Sequence, residues 1–407
     1  MNLCNGQWLR FQRFGELSDL ENAILNIKMA IDLINDEHPD KPIYLSSLGD
    51  IQRLRFERLG DMSDLENAIL NKKMAIALTA DGDPSKPNRL SSLGNNQHTR
   101  FEYFGHLSDL ENSISNIAEA IKLTDDGHLR RPEYFSNLGE CQRLRFHRLG
   151  DVLDLENAIT NNKKAVNLTD DRQPSKVIYL VHLGKSHGCR FEHFHLQADL
   201  TASVSFFKAA AQLKAAYPSN ALSAARLWAK TSHLNSNLVS GLEGYRTALE
   251  LLPKVAWLGL TTQSRQDWLL QEKSENLGCL AASCAIQLGH LEDAVELLDL
   301  GRSVFWQQAS SLRSDLETLR EENPSLAEKL EKVGWQLDAG NFSSPAFTTE
   351  RNMGGDQRSD DIGKERRRLV GQWEETVDRV RQLPRFKYFL KPIPFHQLRQ
   401  ATTTGWS

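Results

Sequence analysis

The chain has 407 residues, 40% of them hydrophobic and 25% charged, with a formal net charge of −4. That length is enough for a large buried core, in one long array or in two to three units. The near-neutral balance gives no electrostatic case for a nucleic-acid partner. Met1 to Arg10 lacks the basic stretch and apolar run of a secretory signal. The most apolar stretch, Leu249 to Leu260, is broken by Pro253 and Lys254 and is too short to span a bilayer, so no membrane partner is expected. Five scattered cysteines (Cys4, Cys141, Cys189, Cys279, Cys284) fit reduced thiols, and the expected location is the cytoplasm.

From the N-terminus to about residue 215 the chain repeats with a period of 45. Asp19, Asp64, Asp109, Asp154 and Asp199 mark five copies, with no slippage between them. A fixed period in this range marks a repeat architecture. Each copy reads as two helices. The first, helix A, runs from about Pro42 to Leu59 in the second copy. Pro42, Pro87 and Pro132 stand in its first turn, where a missing N–H is tolerated. Leu45, Leu48, Ile51 and Phe56 supply its apolar face, and Phe11, Phe56, Phe101, Phe146 and Phe191 recur at 45-residue steps. Gly15, Gly60, Gly105 and Gly150 end this helix, with His195 in that place in the fifth copy, so that turn is expected to be weaker. The second, helix B, opens on Ser18/Glu21, Ser63/Glu66 and Ser108/Glu111, each spaced for a reciprocal capping box. Leu153 and Ala198 cannot cap in this way, which leaves Asp154 and Asp199 as the expected caps of those copies. Leu65, Ala68, Ile69, Ala75, Ile76 and Thr79 fall on one face of helix B. Turn-forming links such as Asp81-Gly82-Asp83-Pro84 join one copy to the next. The fold class is therefore all-α, an α-α superhelix of 45-residue pairs followed by a further helical region.

The pattern Leu45-Ser-Ser-Leu48-Gly49 with Asn67-Ala68 and Ala75 resembles tetratricopeptide repeats. The small residues at Ala23/Ala30, Ala68/Ala75, Ser113/Ala120, Ala158/Ala165 and Ser203/Ala210 match that family's second helix. The unit is longer than the common 34 residues and nearer the extended repeats of kinesin light chains. The wider wording looks like the repeat arrays of basidiomycete fungal proteins that usually precede a caspase-like CHAT domain. Comparing copies aligns Met1 with Ser46, inside helix A, so further repeats are expected upstream.

Strict periodicity stops after Tyr217-Pro218. Residues 216–340 are expected to stay helical, as Ala221 to Ser236, Ser240 to Leu252, Asp267 to Leu288 and one long helix from Leu291 to about Glu322, roughly 45–48 Å in length. Asn323-Pro324 reads as cap and first turn of the next helix. Residues 341–363 read as a loop and 364–392 as a helix and lead-in. Residues 393–407 resemble the truncated start of a CHAT-like domain.

No catalytic, cofactor or metal site is expected within the chain. It has no Gly-x4-Gly-Lys-Ser/Thr loop. The CHAT family's His and Cys belong to its downstream domain, and no position here matches them. His187 and Cys189 are two apart on a helix and point to different faces, so they read as a drifted repeat helix and not as a nucleophile and its base. His182, His187, His193 and His195 lack the i, i+4 spacing of paired ligands and read as surface residues. Cys279 and Cys284 read as two small core fillers. Lys364-Glu365-Arg366-Arg367-Arg368 reads as a solvated helix start in preference to an import signal. Arg10, Arg55, Arg100, Arg145 and Arg190 recur before the repeated Phe. Each is expected to bond a carboxylate or carbonyl at its own or a neighbouring turn, a plainer account than a basic strip for acidic peptides.

In tetratricopeptide arrays the first helices line a concave groove where an Asn clamps peptide backbone. The matching positions are Asn2, Ser47, Ser92, Asn137 and His182, and only Asn2 and Asn137 keep the Asn. Asp50 and Arg53, Asn95 and His98, Glu140 and Arg143, and Lys185 extend the candidate groove. These vary between copies while the apolar positions do not. The resemblance implies protein or peptide segments as partners, for a non-enzymatic scaffold that serves as the sensing or assembly arm of a CHAT-domain protein. The alternatives are the regulatory arm of a caspase-like peptidase and an immune-type receptor arm. The candidate groove residues are expected to be mostly exposed along one channel.

Overall fold

The computed structural model describes residues 17–257, 276–339, 368–369, 371–389, 394–396 and 399. Every regular element among them is helical. In chain order these are α1 (Leu17–Asp32), α2 (Lys41–Leu59), α3 (Met62–Ala77), α4 (Lys86–Phe104), α5 (Leu107–Lys122), α6 (Arg131–Leu149), α7 (Val152–Asn167), α8 (Lys176–Phe194) and α9 (Gln197–Ala211). They continue as α10 (Pro218–Leu234), α11 (Leu238–Trp257), α12 (Leu277–Gln287), α13 (Leu291–Glu322) and α14 (Pro324–Ala339), then a helix over 371–381, here α15, and a short 3₁₀ turn at Pro384–Phe386. Internal contacts divide the chain into two units. The first contains 1–170, 185–199 and 342–358, and the second 171–184, 200–341 and 359–407. Asn2, Arg10, Phe11 and Gly15, the Asp267 to Glu275 part of one expected helix, the 341–363 loop, Lys364–Arg367 and most of 393–407 lie outside the described residues.

In the first unit α2 pairs with α3, α4 with α5 and α6 with α7, while α1 packs on α2, α3 on α4 and α5 on α6. The result is a sequential stack of antiparallel helix pairs, a tetratricopeptide-like arrangement. The 45-residue period explains each boundary. The A helices α2, α4 and α6 carry Pro in their first turn. They end where Gly60, Gly105 and Gly150 turn left-handed, at φ 71°, 71° and 74°, each N–H bonding the carbonyl of the repeated Phe at 2.7 Å. His195 holds the same turn, at φ 56°, and the same 2.7 Å bond to Phe191. A side chain there costs about 1–2 kcal/mol, because Cβ crowds the following carbonyl. The B helices close on Thr79, Thr124 and Thr169, whose hydroxyls donate to the carbonyls of Ala75, Ala120 and Ala165.

The expected capping boxes are not formed. Helix α3 begins at Met62, one residue before Ser63, so Ser63 lies inside the helix; its N–H donates to the carboxylate of Asp61, the true cap, at 3.0 Å. Asp151 caps α7 in the same way through Leu153 N–H, and His106 precedes α5 without a side-chain bond. Asp154 and Asp199 are therefore inside their helices and not caps.

The core follows the pattern read from the sequence. Leu45, Leu48, Ile51 and Phe56 are buried, as are Leu65, Ala68, Ile69 and Ala75, while among their copies Ile114, Phe191 and Val204 are only partly buried. The small positions Ala23, Ser113, Ala120, Ala158, Ala165, Ser203 and Ala210 are fully enclosed, while Ala30 is half-buried. Phe56, Phe101 and Phe146 are each lidded by a residue 47 positions on. Tyr103 packs edge-on to Phe56 at 4.7 Å, Arg148 sits 5.6 Å over Phe101, and His193 packs edge-on to Phe146 at 5.4 Å. Stacking therefore covers an aromatic face that a single pair leaves open. Gly49, Gly94 and Gly139 have a further role, because a Cβ on any of them would collide with the residue 23 positions on or its neighbouring backbone: Lys72, Ile117 or Asn162 fills that space.

In the second unit Gly184 stands in the same relation to Phe207. Helices α10 and α11 enclose Trp228, whose indole N–H donates to Ser240 Oγ at 2.8 Å. Helix α13 has the expected Leu291–Glu322 span. Gly301 does not break it. Instead α12 and α13 touch through Gly278 and Gly301, where a Cβ on Gly301 would lie 2.5 Å from the other's Cα. Asn323 accepts from Leu326 N–H at 3.2 Å and starts α14 as expected. Leu319, Leu330, Trp373, Val380, Phe386 and Phe389 then form one apolar cluster. Cys284 is buried but Cys279 is exposed, so only one of the pair fills core. No helix among the described residues is long and apolar enough to cross a membrane.

The left-handed turn gives a paired test. Gly150→Ala meets no neighbouring atom, so backbone strain alone should lower stability by about 1 kcal/mol. His195→Gly should raise it by a similar amount. Chemical denaturation of both variants against wild type checks the pair, and equal stabilities would mean that the turn carries no strain.

Candidate functional site

The repeated arginine meets the repeated aspartate in every described copy. Arg55 donates through Nε to Asp64 at 2.7 Å and through Nη2 at 2.5 Å; Arg145 does the same to Asp154 at 2.7 and 2.5 Å. Arg100 holds Asp109, and Arg190 holds Asp199, in the same fork. The aspartates are nearly inaccessible, and the arginines about a quarter exposed. The bond to its aspartate raises each guanidinium's pKa above the ordinary value, against the opposing effect of burial. The glutamate of the preceding copy adds to this field: Glu21 at Arg55, Glu66 at Arg100, Glu111 at Arg145, and Glu156, which meets Arg190 directly at 3.2 Å. The ladder is thus internal. Its forks are occupied, as the plainer reading expected, and are not a free basic strip.

The candidate groove residues lie on the A helices, and none is fully exposed. Asp50 is buried, and Ser47, Arg53, Ser92, Asn95, His98, Asn137, Glu140, Arg143, His182 and Lys185 are half-buried. This corrects the expectation of an exposed row. The reason is that these side chains bond sideways. Ser92 donates to Asp50 at 3.1 Å and Asn137 to Asn95 at 3.0 Å, each pair 42 residues apart. Glu140 receives both Nε and Nη2 of Arg143, at 2.9 and 2.7 Å, with Lys185 Nζ 3.8 Å away. Arg53 pairs with Glu57 along its own helix. His98 lies 3.9 Å from Glu102, and His182 falls in the second unit. A separation of 42, three short of the period, places each A helix one turn out of step with its neighbour. Half-buried amides and carboxylates on this face keep lone pairs and N–H groups that an extended peptide backbone could engage.

Two polar contacts, the first of them recurrent, were not singled out from the sequence. Gln52 accepts from Asn71, Gln97 from Asn116 and Gln142 from Asn161, at 2.7–2.8 Å. They brace helix A against helix B in these three copies, and the 45-residue recurrence of Gln was their available signal. The second is Lys72, 1% exposed, which pairs with Asp50 at 2.6 Å and donates to Ser46 at 3.0 Å. The charge is enclosed only because both partners are present.

His187 and Cys189 do not meet as a pair. His187 bonds Asp199 at 2.8 Å, while Cys189 faces His147 at 3.2 Å, 42 residues away. Burial pushes the Cys189 thiol up to about 11 and holds His147 below the ordinary imidazole value. A nucleophile needs the opposite shift, towards thiolate. Among the described residues no group of three His, Cys, Asp or Glu is placed to hold a metal ion.

No family profile matches the chain, and no curated protein matches its sequence. Among solved structures it is similar to the Assembly Chaperone of RpL4 (Acl4), residues 1–338, at 14% identity, with 77% of this chain and 99% of that one covered and a TM-score of 0.28. At that score the likeness carries no argument about this chain.

The Asp199 carboxyl sits below the usual carboxylate value: burial would raise it, and the bonds from Arg190 and His187 outweigh burial. A depressed carboxylate stabilises the fold above its unfolded pKa, and that contribution is lost as pH falls through the folded value. Asp199→Asn should therefore flatten the loss of melting temperature between about pH 4 and pH 2; an unchanged acid slope would reject the assignment. Among the cysteines of the described residues, thiol labelling in the folded state should modify exposed Cys279 first. Cys141, pushed up to about 12 by burial, Cys189 and Cys284 should react only as the chain opens. Peptide mapping after timed alkylation checks the order.

Proposed function

We propose that this chain is a non-enzymatic helical scaffold that binds a protein or peptide segment along the A-helix face of its repeats. The observation that carries the reading is a division of labour within each copy. The positions that hold the stack (Leu, Gly, Phe, Arg and Asp) are the same in copy after copy. The row on the A-helix face changes from Ser47, Asp50 and Arg53 to Ser92, Asn95 and His98, then to Asn137, Glu140 and Arg143. A constant frame with a varied polar row is the arrangement that reads a sequence segment through several modest contacts.

The array is taken as residues 1–215 and the helices beyond it as a separate region. Resemblance to the wording of fungal CHAT-domain proteins supports placing the scaffold as their cytoplasmic sensing or assembly arm, with the regulatory arm of a caspase-like peptidase as the second reading.

The test begins with peptides selected from a displayed library against the purified chain. Asn137→Ala should weaken the selected peptides about tenfold, and Asn137→Ala/Arg143→Ala further. The stability cost should be about 0.5–1.5 kcal/mol for the lost Asn95 bond, as read by thermal melts. Should both variants keep wild-type affinity, the A-helix face is not the binding surface.

A further inference from the structure

Ile51, Asn96, Cys141 and Ser186 are one position in four successive A helices. Three of them show that this position faces the B helix of the copy before. Ile51 shares an apolar cluster with Leu20, Ile24 and Ile27 of α1. Cys141 meets Ser113 of α5 at 3.3 Å, and Ser186 accepts from Asn162 of α7 at 3.0 Å. Asn96 is completely enclosed, yet among the described residues neither its amide nitrogen nor its amide oxygen has a hydrogen-bond partner. The register explains why. The residues of α3 that correspond to Ser113 and Asn162 are Ala68 and Lys72. Alanine has no polar side-chain atom, and Lys72 is held by Asp50 and Ser46.

Two further atoms of α4 share this condition, Ser91 Oγ and His98 Nε2. Their counterparts on α2 are engaged, Ser46 by Lys72 and Arg53 by Glu57. An enclosed polar group without a partner keeps the full cost of its lost hydration, and such groups are rare in folded chains. Here three residues of one helix carry that cost. We propose that the seam between α3 and α4 is a built-in opening point, where the array parts before it unfolds elsewhere. As α4 leaves α3, the Asn96 amide gains water, and the relief of its burial makes this opening easier than those at the neighbouring seams. The Ser92–Asp50 bond crosses the same seam and breaks with it, and Tyr103 lifts off Phe56. Leu93 leaves the cluster it forms with Phe56, Leu65 and Ile69, so the opened state shows an apolar face that the closed array hides. The opening belongs to the free chain and needs no partner at the A-helix face.

Hydrogen exchange of the intact chain, read on peptides from α2, α4 and α6 and corrected for intrinsic rates, tests this. Fraying ordinarily starts towards the ends of a chain, which would leave α4 better protected than α2. The expected order is the reverse, with α4 protected about tenfold less than both α2 and α6. Two variants act on the seam by different routes. Asn96→Ile removes the amide and installs the residue that α2 carries. Ala68→Ser keeps the amide and supplies the hydroxyl that Cys141 finds at Ser113. Each should raise the protection of α4 about tenfold and leave α6 nearly unchanged; a gap narrowed by either one supports the proposal, so it stays testable if the other fails to fold. Equal protection of the three helices in the wild type, the result if the array opens only as a whole, overturns it. So does an α4 better protected than α2 or α6, or a gap that neither variant narrows.

Discussion

A carboxylate removed from water is tolerated only where a cation and hydrogen bonds replace its hydration. Asp64, Asp109, Asp154 and Asp199 are in that position, each within 3% of complete burial and each held by the two-pronged fork of an arginine nine residues earlier. The fork joins the last turns of one helix to the first turn of the next, so it sets how the two helices of a copy diverge. A planar donor pair with two acceptor oxygens has one good orientation. The same guanidinium feels the glutamate of the copy before, and at Arg190 touches it. One residue per copy therefore fixes both the angle within a pair and the approach of the next pair.

With that joint in place the remaining contacts follow by translation. The aromatic lids recur 47 residues apart, the Gln–Asn braces 19 apart, and the sideways bonds of the A-helix face 42 apart. Where a residue is replaced, its neighbours show it. The brace is lost in the last copy, where Phe206 stands in the Asn position, and His187, in the Gln position, turns to Asp199. Ser46 is bonded by Lys72, whereas the equivalent Ser91 has no hydrogen-bond partner, because Ile117 stands where the lysine stood.

Much of this was legible before any coordinates. The 45-residue recurrence of Leu, Phe, Gly, Arg and Asp indicated the helix pairs, their buried faces and an arginine engaged at its own or a neighbouring turn, because these depend on local spacing; that the partner is the aspartate nine residues on came from the structure. Two kinds of feature were not legible. Helix B starts at Met62, so the cap moved from Ser63 to Asp61; one residue of uncertainty at a helix end is enough to exchange the capping partner. The exposure of the A-helix row was misjudged because it depends on contacts such as Asn137–Asn95 and Cys189–His147. Those are set by the offset of one helix against the next, and a repeat period does not contain that offset.

The glycines at 49, 94, 139 and 184 have a consequence for how the chain finds its order. Near-identical copies invite errors of assembly, in which a helix pair skips its neighbour or exchanges with the same pair of another chain. Above these glycines the copies cease to be alike: the space is filled by a lysine, an isoleucine, an asparagine and a phenylalanine in turn. Asn162 needs Ser186 of the following copy, and next to Ile117, on the same helix, Ser113 meets Cys141 of the following copy, while Lys72 is held within its own copy by Asp50 and Ser46. A pair seated on the wrong neighbour would bury an amide without its hydroxyl. The interior of each copy thus works as an address, written at the one position where a missing side chain leaves room for it.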